Sequence, residues 1–393
     1  MVNVNASSSS SDGGGVASLL SRSISSSNVI HDCPVELTGL MHEDIPFQIQ
    51  DIADLAAGKD STGVVMNDGK CYTWGANKFG QLGHEPKVVG AEVSFPTLLE
   101  TDEIMEGGGV KKLVLGNSFS AIIDKAGDLY TFGNGGSTMS GIGFLGHGDG
   151  NDYIIPKKVE SLVEDGCFAK DVCVGKYHTT VLTEEGEVLT AGPGSWGTLG
   201  NFDPEEQLYF EPVELLAEEN IEQICSGSEF SLALTSEGMI LGWGRNDKGQ
   251  LAGGGGTVVD MYALENMPCP IDDEFLSGKV VRKIATGPSH CACLTEDGEV
   301  AFWGLKQYFV PTEILIPTQA KCIDIWCGGD YVCVLSEEGD LFTFGKGKYG
   351  VLGNFSKSTS WVPSHLEALK DKSVVNVCTG INHVLCLVED NNS

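Results

Sequence analysis

The sequence predicts an all-β fold, a seven-bladed β-propeller of four-stranded antiparallel blades with its ring closed by an N-terminal strand. Three observations predict it. A short apolar-Gly element recurs seven times, a hairpin-and-aromatic element follows it in six copies, and glycine reaches 52 of 393 residues. That share of glycine without a collagen period signals many tight turns.

The first element is two or three apolar residues, a Gly, two variable residues, one ring or polar residue, and an apolar strand ending in Leu or Val. Its glycines are Gly58, Gly116, Gly175, Gly227, Gly287, Gly328 and Gly380, at steps of 41 to 60 residues. Self-similarity at such a period marks units that cannot bury their apolar faces alone and must stack. The second element is Asp68-Gly69 leading to Trp74-Gly75, with counterparts ending at Phe132-Gly133, Trp243-Gly244, Trp303-Gly304 and Phe344-Gly345. In the third copy Glu185-Gly186 leads to Ala191-Gly192, so the ring is lost. Apolar runs flanking an acid-Gly pair read as a hairpin whose Gly takes positive φ. The aromatic then ends a strand and fills the space between sheets.

A third element is Gly-x-Leu-Gly, as in Gly80-Gln81-Leu82-Gly83, which reads Gly249-Gln250-Leu251-Ala252 in the fourth copy and is absent from the fifth. A Pro-bearing strand such as Pro212-Val213-Glu214-Leu215 follows it, and Pro suits an outer edge. The seventh copy stops short, with neither hairpin turn nor aromatic-Gly after Leu387. An open edge must be covered. Pro34-Val35-Glu36-Leu37 repeats the outer-strand text, so residues 30–40 are expected beside the strands around 375–388. Residues 1–29, rich in Ser and Gly, are expected to be a disordered tail ahead of one propeller domain spanning 30–393. A mitochondrial transit peptide is the alternative for that tail, alongside a cytoplasmic or nuclear location.

Charge narrows the partners. With 55 acids against 24 bases the net charge is −31, a field that repels nucleic acid and anionic lipid and favours a basic protein surface. No apolar run of membrane-spanning length occurs. The thirteen Cys include no Cys-x-x-Cys spacing, and several fall at fixed repeat positions, as buried free thiols would in a reducing compartment. Neither a metal site nor a cofactor site is expected. Gly192-Pro193-Gly194-Ser195-Trp196-Gly197 and Gly345-Lys346-Gly347-Lys348-Tyr349-Gly350 match a dinucleotide fingerprint, but neither opens a helix, so both read as turns. No nucleophile or protease signature is present, and an enzyme is not expected. Two longer insertions, Asn134–Ile142 and Gly253–Pro270, are candidate contact loops.

His178, His290 and His383 recur three residues after a repeat Gly. Recurrence favours ring nitrogens satisfying neighbouring groups between strands, and a shared partner-binding role is the alternative.

Phrases such as Asp68-Gly69…Trp74-Gly75-Ala76-Asn77…Gly80-Gln81-Leu82-Gly83 resemble the regulator of chromosome condensation repeat, over roughly residues 33–390. The founding member of that family is a guanine-nucleotide exchange factor for a small GTPase. The resemblance therefore implies a protein-binding ring that grips a GTPase, with acids and histidines in the short loops after the repeat Gly as its working residues. Here Asp60, Glu229 and Asp330 stand two residues after a repeat Gly as the acids, and no His stands there. An interaction scaffold for a basic partner, as in organelle ribosome assembly or a signalling complex, is the other reading. The family also includes a plant ultraviolet-B photoreceptor with Trp directly after repeat glycines. Those places hold Lys59, Asn117, Lys176, Ser228, Pro288, Gly329 and Ile381 here, which excludes a tryptophan light sensor of that kind.

Overall fold

The computed structural model describes residues 3–5, 17–20, 46–84, 92–99, 101–252 and 263–390. Among them the architecture is an all-β propeller of four-stranded antiparallel blades. The first blade runs Ile52–Ala57, Ser61–Met66, Cys71–Ala76 and Glu92–Leu98, each strand paired with the next. Sheets of the same plan occupy 110–158, 169–212, 221–270, 281–313 and 322–365. The described residues end on the pair Lys372–Thr379 and Val384–Asp390. Beside the latter lies Ala17–Leu20, and beyond it Asn3–Asn5.

Each element of the repeat has its physical counterpart. Gly69 takes φ 84° in the hairpin turn, where Met66 N–H donates to Lys70 O at 2.8 Å. Phe132, Trp243, Trp303 and Phe344 are fully buried between sheets. The indole N–H of Trp243 donates to Thr198 O at 3.0 Å, and that of Trp303 to Gln250 O at 2.9 Å, so each ring also ties its strand to the preceding blade. In the third copy the missing ring is replaced from another strand. Phe210 of Glu206–Pro212 packs with Ala191, and a Cβ on Gly146 would sit 2.2 Å from that ring. The leucines of Gly-x-Leu-Gly are buried, and their carbonyls accept from a Thr just before the aromatic position, as from Thr73 to Leu82 at 2.8 Å and Thr343 to Leu352 at 2.7 Å. Ala252 takes φ 52°, in the place where the other copies carry Gly.

The innermost strand pair carries a register shift in every copy, between Ile52 and Asp54 in the first and between Val374 and Asn376 in the last. The bulge turns a polar residue, four before each repeat Gly, toward the next blade. Lys112 meets Asp171, Lys283 meets Asp324, Gln223 bridges both backbone groups of Ile284, and Asn376 reaches Asp54 at 3.4 Å. Burial opposes the charge on Lys112, but the pairing with Asp171 and its surroundings holds the ammonium above its ordinary range.

Two expectations need revision, and a third lies outside the described residues. The strand before Pro212 is Glu206–Pro212, and Glu214–Leu216 is a 3-10 turn, so the text at 212–215 is a strand end rather than an outer strand. Pro does lie within outer strands elsewhere, as at Pro96, Pro156, Pro311 and Pro363, where no ladder donor is needed. The 30–40 segment lies outside the described residues, and the strand found next to Val384–Asp390 is Ala17–Leu20. Within 1–29, expected to be a tail without structure, Asn3–Asn5 and Ala17–Leu20 are strands.

The last strand pair packs on the first blade. Leu385 lies in one cluster with Ile52, Leu55 and Val64, Ile381 N–H donates to Gly58 O at 3.1 Å, and His383 Nε2 bonds Thr62 Oγ1 at 3.0 Å.

Candidate functional site

The repeat glycines converge. Gly58, Gly116, Gly175, Gly227, Gly287, Gly328 and Gly380 all line one cavity of about 460 Å³. They must be glycine because neighbouring loops crowd the axis. A Cβ would lie 2.6 Å from Gly116 O if built on Gly58, 2.4 Å from Gly328 O if built on Gly287, and 2.4 Å from Gly58 O if built on Gly380. The loops that follow these glycines therefore share one end of the ring with the loops after the aromatic-Gly pairs. A backbone bond holds the two side by side in most copies, as Arg245 N–H to Glu229 O and Lys346 N–H to Asp330 O, both 2.8 Å.

That pairing decides the state of the candidate acids. Asp60, Glu229 and Asp330 are all half-buried on this face, and each already has a partner. Asp60 accepts from Asn382 Nδ2 at 2.7 Å, across the seam between first and last repeats. Glu229 binds Arg245 at 2.5 Å, and Asp330 binds Lys346 at 3.0 Å. Arg245 also reaches Asp247 at 2.9 Å and lies 4.2 Å from the Trp196 ring centroid. Burial opposes its charge, but Glu229 and Asp247 more than offset this and raise its pKa. Trp196 itself is held at φ 66° in the turn after the third strand, the place predicted to be a turn rather than a nucleotide fingerprint.

The three histidines lie elsewhere. His178, His290 and His383 are at most 1% exposed, which removes them from any partner surface in this conformation. They sit in the seams between blades. His178 Nε2 bonds Ser231 Oγ at 2.9 Å, in the following blade, just as His383 bonds Thr62. His290 has no ring partner of this kind: Val332 holds the corresponding position of the next blade, and its ring packs on Phe302 with centroids 5.3 Å apart. Burial pushes the pKa of His178 and of His290 down to about 4.

Four cations on this face were not singled out from sequence: Lys59, Lys176, Arg245 and Lys248 all line the axial cavity. The usable signal was positional, since Arg245 and Lys346 directly follow an aromatic-Gly pair in the two copies that carry Glu229 and Asp330. Of the two insertions, Gly136–Ser137 and Gly141–Ile142 form a small hairpin, and Ile142 N–H donates to Glu206 at 3.2 Å in the next blade. Residues 253–262 of the other lie outside the described set. Among the described residues no group of three or more His, Cys, Asp or Glu is placed to hold a metal ion.

Comparison with known proteins follows the same repeat. Residues 68–123, 237–294 and 338–387 match the Regulator of chromosome condensation (RCC1) repeat, and residues 52–81 and 221–250 match a second description of it. The chain belongs to the regulator of chromosome condensation repeat family. Its propeller is similar to that of Prp20p from Saccharomyces cerevisiae, with a TM-score of 0.79 and 20% identity over 95% of this chain and 91% of that one. Among curated relatives, the ultraviolet-B receptor UVR8 of Arabidopsis thaliana is 32% identical over 260 residues, 63% of this chain and 57% of the receptor. The secretion-regulating guanine nucleotide exchange factor of Bos taurus is 28% identical over 302 residues, 72% of this chain and 61% of that protein. The matched region thus spans less than two thirds of these two relatives' own lengths. A mitochondrial member, the RCC1 domain-containing protein RUG3 of Arabidopsis thaliana, is 28% identical over 82% of this chain and 73% of its own length.

Proposed function

We propose that this member of the repeat family binds a protein partner through the glycine-loop face and acts as a guanine-nucleotide exchange factor or regulator for a small GTPase. The supporting observation is that Asp60, Glu229 and Asp330 each stand two residues after a repeat Gly that lines the axial cavity, which Glu229 lines as well. Exchange requires a group that competes with the nucleotide phosphates or their magnesium ion. Asp330 is the best placed, since its side chain is 41% exposed and its ion pair to Lys346 is solvated and weak. Glu229 is locked to Arg245 and serves better to shape the loop. Several relatives carry exchange or receptor names, and Prp20p has been studied for its binding to Gsp1p and histones, which favours a protein partner. No catalytic centre is invoked: a regulator of this kind acts by binding.

The same reading takes residues 30–393 as one domain of seven blades, with the strand Ala17–Leu20 ahead of it joining the last. Two observations support it: the seven glycines line a single cavity, and the final strand pair packs on the first blade. A nuclear or cytoplasmic site of action fits an exchange factor, and the mitochondrial relative makes an organelle scaffold the second reading.

The test is nucleotide release from a panel of purified small GTPases. One of them is expected to release labelled nucleotide faster with the protein present, and Asp330→Lys is expected to slow that release about tenfold through charge reversal at the interface. No acceleration for any GTPase, together with capture of a basic non-GTPase protein, would establish the scaffold instead.

A further inference from the structure

The axial cavity carries the wrong charge for this protein. The chain as a whole is −31, yet Lys59, Lys176, Arg245 and Lys248 line the cavity against only two carboxylates, Glu229 and Asp247. Arg245 already engages both of those. No ion pair among the described residues involves Lys59, Lys176 or Lys248. Lys248 donates instead to Ser289 Oγ at 2.8 Å, and Lys176 lies 4.4 Å from the centroid of the Tyr177 ring. Three ammonium groups without carboxylate partners are unexpected where acids outnumber bases by more than two to one. Concentrated in a concave site with low-dielectric walls, they focus a positive field that like-charge repulsion alone would disfavour.

The cavity's shape fits a ligand of the same sign logic. About 460 Å³ lies within the usual span of small-molecule sites, roughly 300–1,000 Å³. Its lining includes the seven glycines, which let a ligand approach the backbone, together with the hydroxyls of Ser228 and Ser289 as neutral donors. No aromatic side chain lines it, so a nucleobase would have nothing to stack on. A single carboxylate would neutralise one ammonium of three.

We propose that the axial cavity binds a small polyphosphate anion, with Lys59, Lys176 and Lys248 as its charged ligands. The cavity opens on the same glycine-loop face as the GTPase reading but relies on Lys59, Lys176 and Lys248 rather than on Asp330, so either can fail without the other.

Calorimetric titration of the full chain with tripolyphosphate at low salt tests the proposal, with inorganic phosphate and adenosine triphosphate as comparison arms. Tripolyphosphate is expected to bind, to raise the melting temperature, and to weaken as salt increases. Adenosine triphosphate is expected to bind no more tightly, since the base adds nothing. The double variant Lys59→Gln with Lys176→Gln is expected to lose about tenfold or more in affinity. Lys111→Gln, which alters an exposed lysine paired with Glu184, serves as the control and is expected to leave binding unchanged. Lys59 is exposed, so Lys59→Gln alone retains the fold and provides a second readout, with a smaller loss of affinity. Absence of binding to the wild-type chain at millimolar tripolyphosphate would overturn the proposal. Equal affinities for the double variant and the control would overturn it as well.

Discussion

Replacing Trp303 by Ala is expected to destabilise the protein by about 3–5 kcal/mol, the usual range for a fully buried large aromatic. The indole has no exposed surface and packs in a cluster with Phe230, Leu232, Ile284 and Cys293, drawn from two adjacent blades. Its removal leaves a cavity that the rigid ring cannot close, and it takes away the indole N–H that Gln250 O accepts at 2.9 Å. Urea unfolding followed by fluorescence of the remaining Trp residues measures the loss. A loss under about 1 kcal/mol would mean that the aromatic-Gly element does not join blades. Ala191 stands at the same repeat position in the third copy, and there Phe210 supplies the missing ring. Phe210→Ala is therefore expected to behave like a Trp303 truncation, although Phe210 lies on an outer strand.

Acidification is expected to be the second large effect. His178 and His290 have pKa values near 4 in the fold because burial disfavours the charged ring, against an ordinary value of 6.5. A depressed folded pKa means that the unfolded chain binds more protons between those values. Stability is therefore fully present above pH 6.5 and falls as pH drops from 6.5 toward 4. At pH 5 each ring contributes a loss of roughly 2 kcal/mol relative to pH 7. Asp330 and Lys346 act on His290 with opposite signs, so burial sets the result. Melting temperatures measured from pH 7 to 5 should fall steadily. The second and fourth copies hold Phe119 and Phe230 at this position, so His290→Phe is compatible with the site and is expected to remove its share of the pH dependence. An unchanged slope in that variant would show that the ring is not buried in the neutral form.

Much of the fold was legible because the repeat enforces it. Most positive-φ turns take Gly, and most gaps between sheets take a ring, so Gly69 and Trp243 reveal their roles by type and spacing alone. The outer strands were harder to place. Proline punctuates them, but it sits inside Glu92–Leu98 and at the last residue of Glu206–Pro212, so its position does not set the register. The polar residue four before each repeat Gly escaped notice because its type changes from copy to copy: Asp54, Lys112, Asp171, Gln223. Complementarity between neighbouring blades, rather than identity, is what the bulge selects, and a pattern of complementary residues has no repeated letter. The site was half legible for the same reason. Asp60, Glu229 and Asp330 were candidates by position, but their partners Asn382, Arg245 and Lys346 lie on other loops or across the seam. The histidines illustrate the reverse case. Recurrence at one repeat position signalled packing between blades, and His178 on Ser231 shows the bond that this position makes.

Contact between the last repeat and the first is the feature on which both the ring and its axial face depend. A double-mutant cycle on Thr62 and His383, whose side chains bond at 3.0 Å, measures it directly. Thr62→Ala, His383→Ala and the double variant are compared by urea unfolding. A closed ring requires an interaction energy of about 0.5 kcal/mol or more between two residues 321 apart in sequence. Additive losses would mean that the chain ends do not meet, and the ring would be open.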